Sequence, residues 1–395
     1  MIERELKDIA EPDLQKLIDD PVREGKTIEY KVELNLKTDD AKRKFLAGIA
    51  SFANAAGGDM VLGIKTDSTD KALPIALQPL AGFNPDADVL MLQEIIRRHI
   101  EPKVFTLDFH PVPITGGWAL VIRIRKTWAG AHMVTYNDDF RFYTRHQGGR
   151  RPMDVPEIRS AFTLAETTME KINRFRLERL GNILAGETPV TLGGKAIIVL
   201  HLCPLRSFDP AYQVNLAPLR KPPHGLPLLY FHATSWGDDF DGYLAAHRPD
   251  GISSGFTYAF KSGCIETVDT GILEPRREGK LEIPSGVFDC KLLEQTAALF
   301  STLKTIGAEP PVVLMLSILR AKGYSFLLGP RYSTDGAKPI NRDQLLLPAV
   351  IVEDFEPSFA NAETLLRPLL DAVWNACGYE RSFNFDSDGN WQPLQ

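Results

Sequence analysis

From Thr27 to Leu36 apolar and polar residues alternate without a break. Ile28, Tyr30, Val32, Leu34 and Leu36 leave one side of the chain, and Glu29, Lys31, Glu33 and Asn35 leave the other. A period of two over ten residues predicts a half-buried strand. Thr38 or Asp39 can then cap a helix whose apolar stripe is Ala41, Phe45, Ile49 and Phe52, with Leu46 and Ala53 beside it. Gly57 and Gly58 supply a left-handed stop, and residues 60–64 (MVLGI) read as a short buried strand directly after it.

Further along, the pattern predicts a helix at about 87–99, strands over Val104–Phe109 and Trp118–Arg125 joined as a hairpin, and a strand at Phe140–Thr144. Asp154 reads as the cap of a helix with Pro156 in its first turn, running towards Leu180. Before Pro21, residues 1–20 read as one helix anchored by Ile9, Leu14 and Leu17. The expected fold class is α+β, a mixed sheet with packed helices over 1–160. A helical connector over 161–187 and a second α+β domain over 188–395 follow. In that second domain the candidate strands are Ala196–Leu202, Leu228–His232, Gly255–Lys261, Cys264–Val268, Val312–Leu319 and Ala349–Val352, with helices near 288–305 and 358–376. A length of 395 residues accommodates two such domains.

Charge and composition exclude several classes. The first 180 residues carry 27 basic and 27 acidic side chains, and the remainder 18 and 24, so any contact with nucleic acid must come from a local patch rather than from bulk charge. No apolar run reaches membrane-spanning length, and the charged first residues lack the apolar core of a signal peptide, so a cytoplasmic location is expected. Cys203, Cys264, Cys290 and Cys377 form no Cys-x-x-Cys pair and read as reduced, mostly buried thiols. No phosphate-binding G-x-x-x-x-G-K-[ST] loop occurs, so no ATP is implied.

The stretch Glu24–Lys31 (EGKTIEYK) carries the densest chemistry. Glu29 and Lys31 occupy alternate strand positions and share a face, and Glu24 can fold back beside Glu29. Two converging carboxylates suit a hard divalent cation such as Mg²⁺ or Mn²⁺, with Lys31 near a developing negative charge. The same pattern also fits an ordinary solvated strand face.

Three pieces of text in this order, Glu24–Lys31, FLAGIASFANAAGGDMVLGI at 45–64 and FRFYTRHQGGRRPMDVPEI at 140–158, resemble a Schlafen/AlbA-like domain. The resemblance implies nucleic-acid binding. For the nuclease members of that family it also implies metal-dependent cutting of structured RNA, tRNA in particular. It makes Glu24, Glu29 and Asp67 the candidate metal ligands and catalytic acids, with Lys31 assisting. Lys65 stands where the family usually carries an acid, and there it can hold a phosphate instead. Asn54 is expected to close the helix-to-strand turn. Arg141, Tyr143, Arg145, Arg150 and Arg151, followed or separated by Gly148-Gly149, are the expected nucleic-acid-binding set. Lys171, Arg174, Arg176 and Arg179 read as a solvated helix face, and WGDDFDGYLAAH at 236–247 as a capped loop.

Two functions therefore stand side by side. One is a metal-dependent endoribonuclease acting on tRNA-like RNA in bacterial stress or phage defence. The other is a non-catalytic DNA- or RNA-binding regulator using the same basic face. RNA is expected ahead of DNA, with no membrane partner. Two copies can build a continuous groove, which makes a homodimer or higher homo-oligomer an expectation too.

Overall fold

The structure is a computed structural model. It describes the chain except residues 105–106, 128–129, 138, 147–148, 210–211, 222–224, 249–250, 276, 278, 329–337, 354–357, 387–388 and 393–395, and the side chains of 139 and 165. It is α+β throughout and divides into two units, Met1–Thr168 and Met169–Gln395.

In the first unit the elements run α1 (Glu11–Asp19), β1 (Ile28–Lys31), α2 (Asp39–Ala53), β2 (Gly58–Leu62), β3 (Ile64–Thr66), β4 (Pro74–Leu77), α3 (Pro85–His99), β5 (Ile100–Glu101), β6 (Leu107–Ile114), β7 (Gly117–Ile124), β8 (Met133–Tyr136), β9 (Asp139–His146) and β10 (Gly149–Pro152). The helix α4 (Val155–Ala185) follows, and the division between the units falls inside it. One sheet has the order β1-β2-β7-β6, with β1 parallel to β2 and the other pairs antiparallel. The second has the order β10-β9-β8-β5.

Parallel neighbours cannot be joined by a tight turn, so α2 makes the crossover between β1 and β2. Thr38 caps α2 by accepting a hydrogen bond from the Ala41 amide, and Gly57 (φ 74°) ends it. The strand β2 is buried on both faces. Met60 and Leu62 pack with Phe45, Ile49 and Phe52 of α2, while Val61 packs with Ile28, Tyr30 and Leu14 on the opposite side. Asn54 holds the end of α2 in place: its side chain donates to the carbonyls of His132 and Tyr143 and accepts from the His132 amide. These partners lie 78 and 89 residues away, so Asn54 ties the end of α2 to the β8–β9 region rather than closing the α2–β2 turn as expected.

Several expectations need correction. The alternating stretch is a strand only over Ile28–Lys31, because Val32 turns to solvent while Leu34 and Leu36 pack against the α2 core from a loop. Residues 1–20 are a single helical turn at Leu6–Asp8 followed by α1, which has Pro12 in its first turn. Residues 105 and 106 of the expected strand near Val104 lie outside the described residues.

The second unit contains β11 (Ile197–Pro204), β12 (Ser235–Asp239), β13 (Gly242–His247), β14 (Gly255–Phe260), β15 (Ile265–Asp269), β16 (Glu282–Pro284), α5 (Ser285–Thr305), β17 (Val312–Leu319), β18 (Ser325–Leu327), β19 (Gln344–Leu346), β20 (Val350–Val352) and α6 (Phe359–Ala376). Eight strands form an antiparallel sheet of order β12-β13-β14-β15-β11-β17-β19, with β20 also on β17. On one face Ile198, Leu200 and Leu202 meet Phe288 and Leu292 of α5 and Leu366 and Trp374 of α6. On the other, Ile197, Val199 and Val268 meet Leu180 and Ile183 of α4.

Here too the sequence reading errs in places. Leu228–His232 is no strand; Leu228 and Leu229 fill the core from an irregular segment. The aromatic-acidic stretch after residue 235 is the hairpin β12–β13, with Asp238 paired to Arg220 at 2.6 Å. Arg176 and Arg179 are not solvated. Arg176 donates to the Ser317 hydroxyl and to the carbonyls of Leu316 and Leu347, and Arg179 forks onto buried Glu266. A guanidinium reaches such buried acceptors with several donors at once, which helical periodicity alone does not reveal.

The start of the chain is tied down by a buried ion pair. Arg123 of β7 donates to Asp59 of β2 at 2.8 and 3.1 Å and also to the carbonyls of Ile2 and Arg4, while the Ile2 amide donates to Asp59 at 2.6 Å. Breaking a buried pair strands a charge, at a cost of about 3–5 kcal/mol. Asp59→Ala is therefore expected to lose about that much in urea unfolding of the full chain, whereas Arg43→Ala on the exposed face of α2 should change it by under about 0.5 kcal/mol.

Candidate nucleic-acid interface

Strand β1 sends Ile28 and Tyr30 into one core and turns Glu29 and Lys31 to the α2 side. Glu29 is 5% exposed. It sits beneath Gly48 in the middle of α2, where a Cβ would come within 3.9 Å of the Glu29 carboxylate, 3.7 Å of the Arg150 guanidinium and 2.6 Å of the Met60 methyl. A glycine inside a helix costs stability, and the room it leaves for these groups explains its presence.

Both oxygens of Glu29 are engaged by cations. Arg145 of β9 donates to Oε2, Lys31 Nζ lies 2.5 Å from Oε1, and Arg150 of β10 stands 3.8 Å from Oε1. Arg145 is itself 3% exposed. Its Nε donates to the Gly25 carbonyl at 2.9 Å, and its guanidinium lies over the Phe52 ring at 4.1 Å. Burial by itself would raise the Glu29 carboxyl, but the charges of Lys31 and Arg145 outweigh it and hold the pKa below the ordinary value.

Glu24 does fold back towards Glu29. Its Oε1 accepts the Tyr30 amide at 2.5 Å, which fixes it at the approach to β1. Burial raises its carboxyl, and the nearby Glu29 charge adds to the rise against the opposing Tyr30 hydrogen bond.

Asp67 does not join them. Its Oδ1 accepts from the Thr69 amide and hydroxyl and from the Asp70 amide, closing its own loop after β3. Among the described residues no three His, Cys, Asp or Glu side chains gather as a metal site. The trio expected of Glu24, Glu29 and Asp67 is thus not assembled, because local donors satisfy Asp67 first. A divalent cation needs carboxylate oxygens at about 2.0–2.6 Å. The Glu29 oxygens already face three cationic side chains, so this donor set does not fit Mg²⁺ or Mn²⁺.

The expected basic set divides by burial. Arg145 is an internal ion-pair partner rather than a surface contact, and Tyr143 packs part-buried against the α2 core. Arg151 forks onto Glu157 at 2.6 and 2.9 Å, and Glu157 forms a reciprocal cap with Asp154 at the start of α4. Arg150 keeps a quarter of its side chain exposed while donating to the Lys44 carbonyl. Lys31 is 40% exposed, and Arg141 and Lys65 lie at the surface. Gly148 lies outside the described residues. Gly48 was not singled out from the sequence, and Phe52 only as part of the apolar stripe of α2; the glycine inside an otherwise apolar helix was the available signal.

The fold defines the class, an α+β domain with a cation-rich cluster around a buried carboxylate. Residues 24–154 match the family described as Schlafen, AlbA_2, and this stretch of the chain is a Schlafen/AlbA_2 domain. Among solved structures, the DIP2311 protein from Corynebacterium diphtheriae is 20% identical over 33% of this chain and 22% of its own, with a TM-score of 0.23. The N-terminal domain of a putative ATP-dependent DNA helicase RecG-related protein from Nitrosomonas europaea is 20% identical over 31% of this chain and 74% of its own, with a TM-score of 0.24. The chain thus spans about a fifth of the first of these. No curated protein matches. Among the described residues no helix is long and apolar enough to cross a membrane.

The lowered Glu29 pKa has a sign. An ionised carboxylate favoured by the fold stabilises fully above about pH 5, and that share is lost as the pH falls through the lowered folded value. Urea midpoints between pH 7 and 3 should therefore fall less steeply for Glu29→Gln than for the unaltered protein, even though the variant starts lower. Parallel acid limbs would contradict the ion-pair assignment.

Proposed function

We propose that the first unit is a polynucleotide-binding module that grips phosphates without a metal ion. The single observation that carries this reading is the commitment of Glu29 to Arg145, Lys31 and Arg150, with Lys31 and Arg150 still reaching solvent. A neutralised acid no longer repels a phosphate, and the surplus cations around it attract one. Arg141 and Lys65 extend the attraction along the surface. Phosphate contacts of this kind set affinity and register rather than sequence choice. RNA ranks ahead of DNA because nuclease members of the family this domain resembles act on structured RNA.

Fluorescence anisotropy with a structured RNA of tRNA size, in EDTA, tests this directly. The affinity should fall linearly on a log-log plot against salt, and Lys31→Ala should weaken binding and reduce the slope by about 1. Binding that disappears in EDTA and returns with Mn²⁺ would overturn the metal-free reading.

The competing reading is a metal-dependent endoribonuclease in bacterial stress or phage defence. The convergence of Glu24 and Glu29 beside Lys31 favours it. It requires Glu29 to leave its cations. Incubating total tRNA and Mn²⁺ with the protein and with Glu29→Ala separates the two: cleavage by the unaltered protein alone supports the nuclease, and intact tRNA in both supports the binding module.

A further inference from the structure

In the second unit β11 and β15 run antiparallel, with His201 opposite Glu266 and Leu202 opposite Ile265. One residue further along, the same register sets Cys203 across from Cys264. Directly opposed residues of an antiparallel pair have Cα atoms about 4.5 or 5.5 Å apart, according to whether they exchange backbone hydrogen bonds. Either spacing lies within the range of about 4.4–6.8 Å that a disulfide spans. Their side chains leave the same face, and both thiols are free and buried.

We propose that Cys203 and Cys264 form a modification site, a cross-strand dithiol that a hydroperoxide converts into an intrachain disulfide. The Cys264 thiolate attacks hydrogen peroxide, the O–O bond breaks to give a sulfenic acid, and the leaving hydroxide takes up the proton the thiol had released, forming the first water. The Cys203 sulfur then attacks that sulfur, the S–O bond breaks, and a second water carries off the Cys203 proton. Two thiols lose two electrons and the peroxide gains them. Cys264 is the better first nucleophile. Burial works to raise its thiol, yet the interaction with the neighbouring Cys203 thiol helps bring it below the ordinary cysteine value, while burial pushes Cys203 well above. Access comes from the end of the hairpin. Cys264 directly follows Ser262 and Gly263, the turn between β14 and β15, where Lys261 is exposed and Ser262 half-buried. Local opening there admits a small oxidant to an otherwise closed pair.

The full chain is treated with hydrogen peroxide, then unfolded and alkylated, and its thiols are counted by mass. Of the four cysteines, two should remain. A non-reducing digest should join the Cys203 and Cys264 peptides, and a reductant should restore all four thiols. Cys203→Ala should stall at a Cys264 sulfenic acid that dimedone traps. Four thiols after treatment, a link through Cys290 or Cys377, or accumulation of a sulfinic acid on Cys264 in the unaltered protein would overturn the proposal. If the variant fails to fold, the peptide map of the unaltered chain decides.

Discussion

The Schlafen/AlbA_2 domain is organised around one buried charge pair, Glu29 with Arg145. A carboxylate at 5% exposure and a guanidinium at 3% are tolerable together only because each satisfies the other and neighbouring groups complete the set. Arg145 supplies the long-range part. From β9 it reaches the β1 carboxylate, the carbonyl of Gly25 and the ring of Phe52, so one side chain joins the second sheet, the approach to β1 and the crossover helix. Gly48 keeps α2 close enough to cover them. Removing either partner would leave the other charge buried without its counter-ion.

This arrangement bears on the proposed chemistry. A metal-dependent phosphodiesterase needs carboxylates that present free oxygens to a cation, whereas both Glu29 oxygens here face Arg145, Lys31 and Arg150. The acid pair instead organises a basic rim. Lys31 and Arg150 are oriented by Glu29 and still meet solvent, and the proposed phosphate contacts rest on that exposure. Asp67 serves a different purpose, closing the loop after β3 through three hydrogen bonds.

Much of the frame was legible because it depends on local rules. Thr38, the stripe of α2 and the glycine pair at 57–58 announce a capped helix and its stop, and Glu29 and Lys31 share a face as period two demands. The match of 24–154 to the family agrees with the text quoted for it. What failed were several expectations that depend on who meets whom across the fold, although Glu24 does fold back towards Glu29 as expected. Alternation along β9 placed Arg141, Tyr143 and Arg145 on one face but did not say which of them would be buried. Arg176 and Arg179 looked like a wet helix face, since nothing local marks Ser317 and Glu266 as their partners. Leu34 and Leu36 kept the strand's rhythm while packing from a loop, because a core accepts apolar side chains without regard to ladder hydrogen bonds.

The most direct test is a titration of the intact protein with Mn²⁺, followed by water-proton relaxation and calorimetry, beside Glu29→Gln. The account predicts no saturable site that depends on Glu29 in either measurement, at Mn²⁺ concentrations up to the millimolar range. A stoichiometric site that vanishes in the glutamine variant would contradict it, and would return the acid pair to the role of metal ligand.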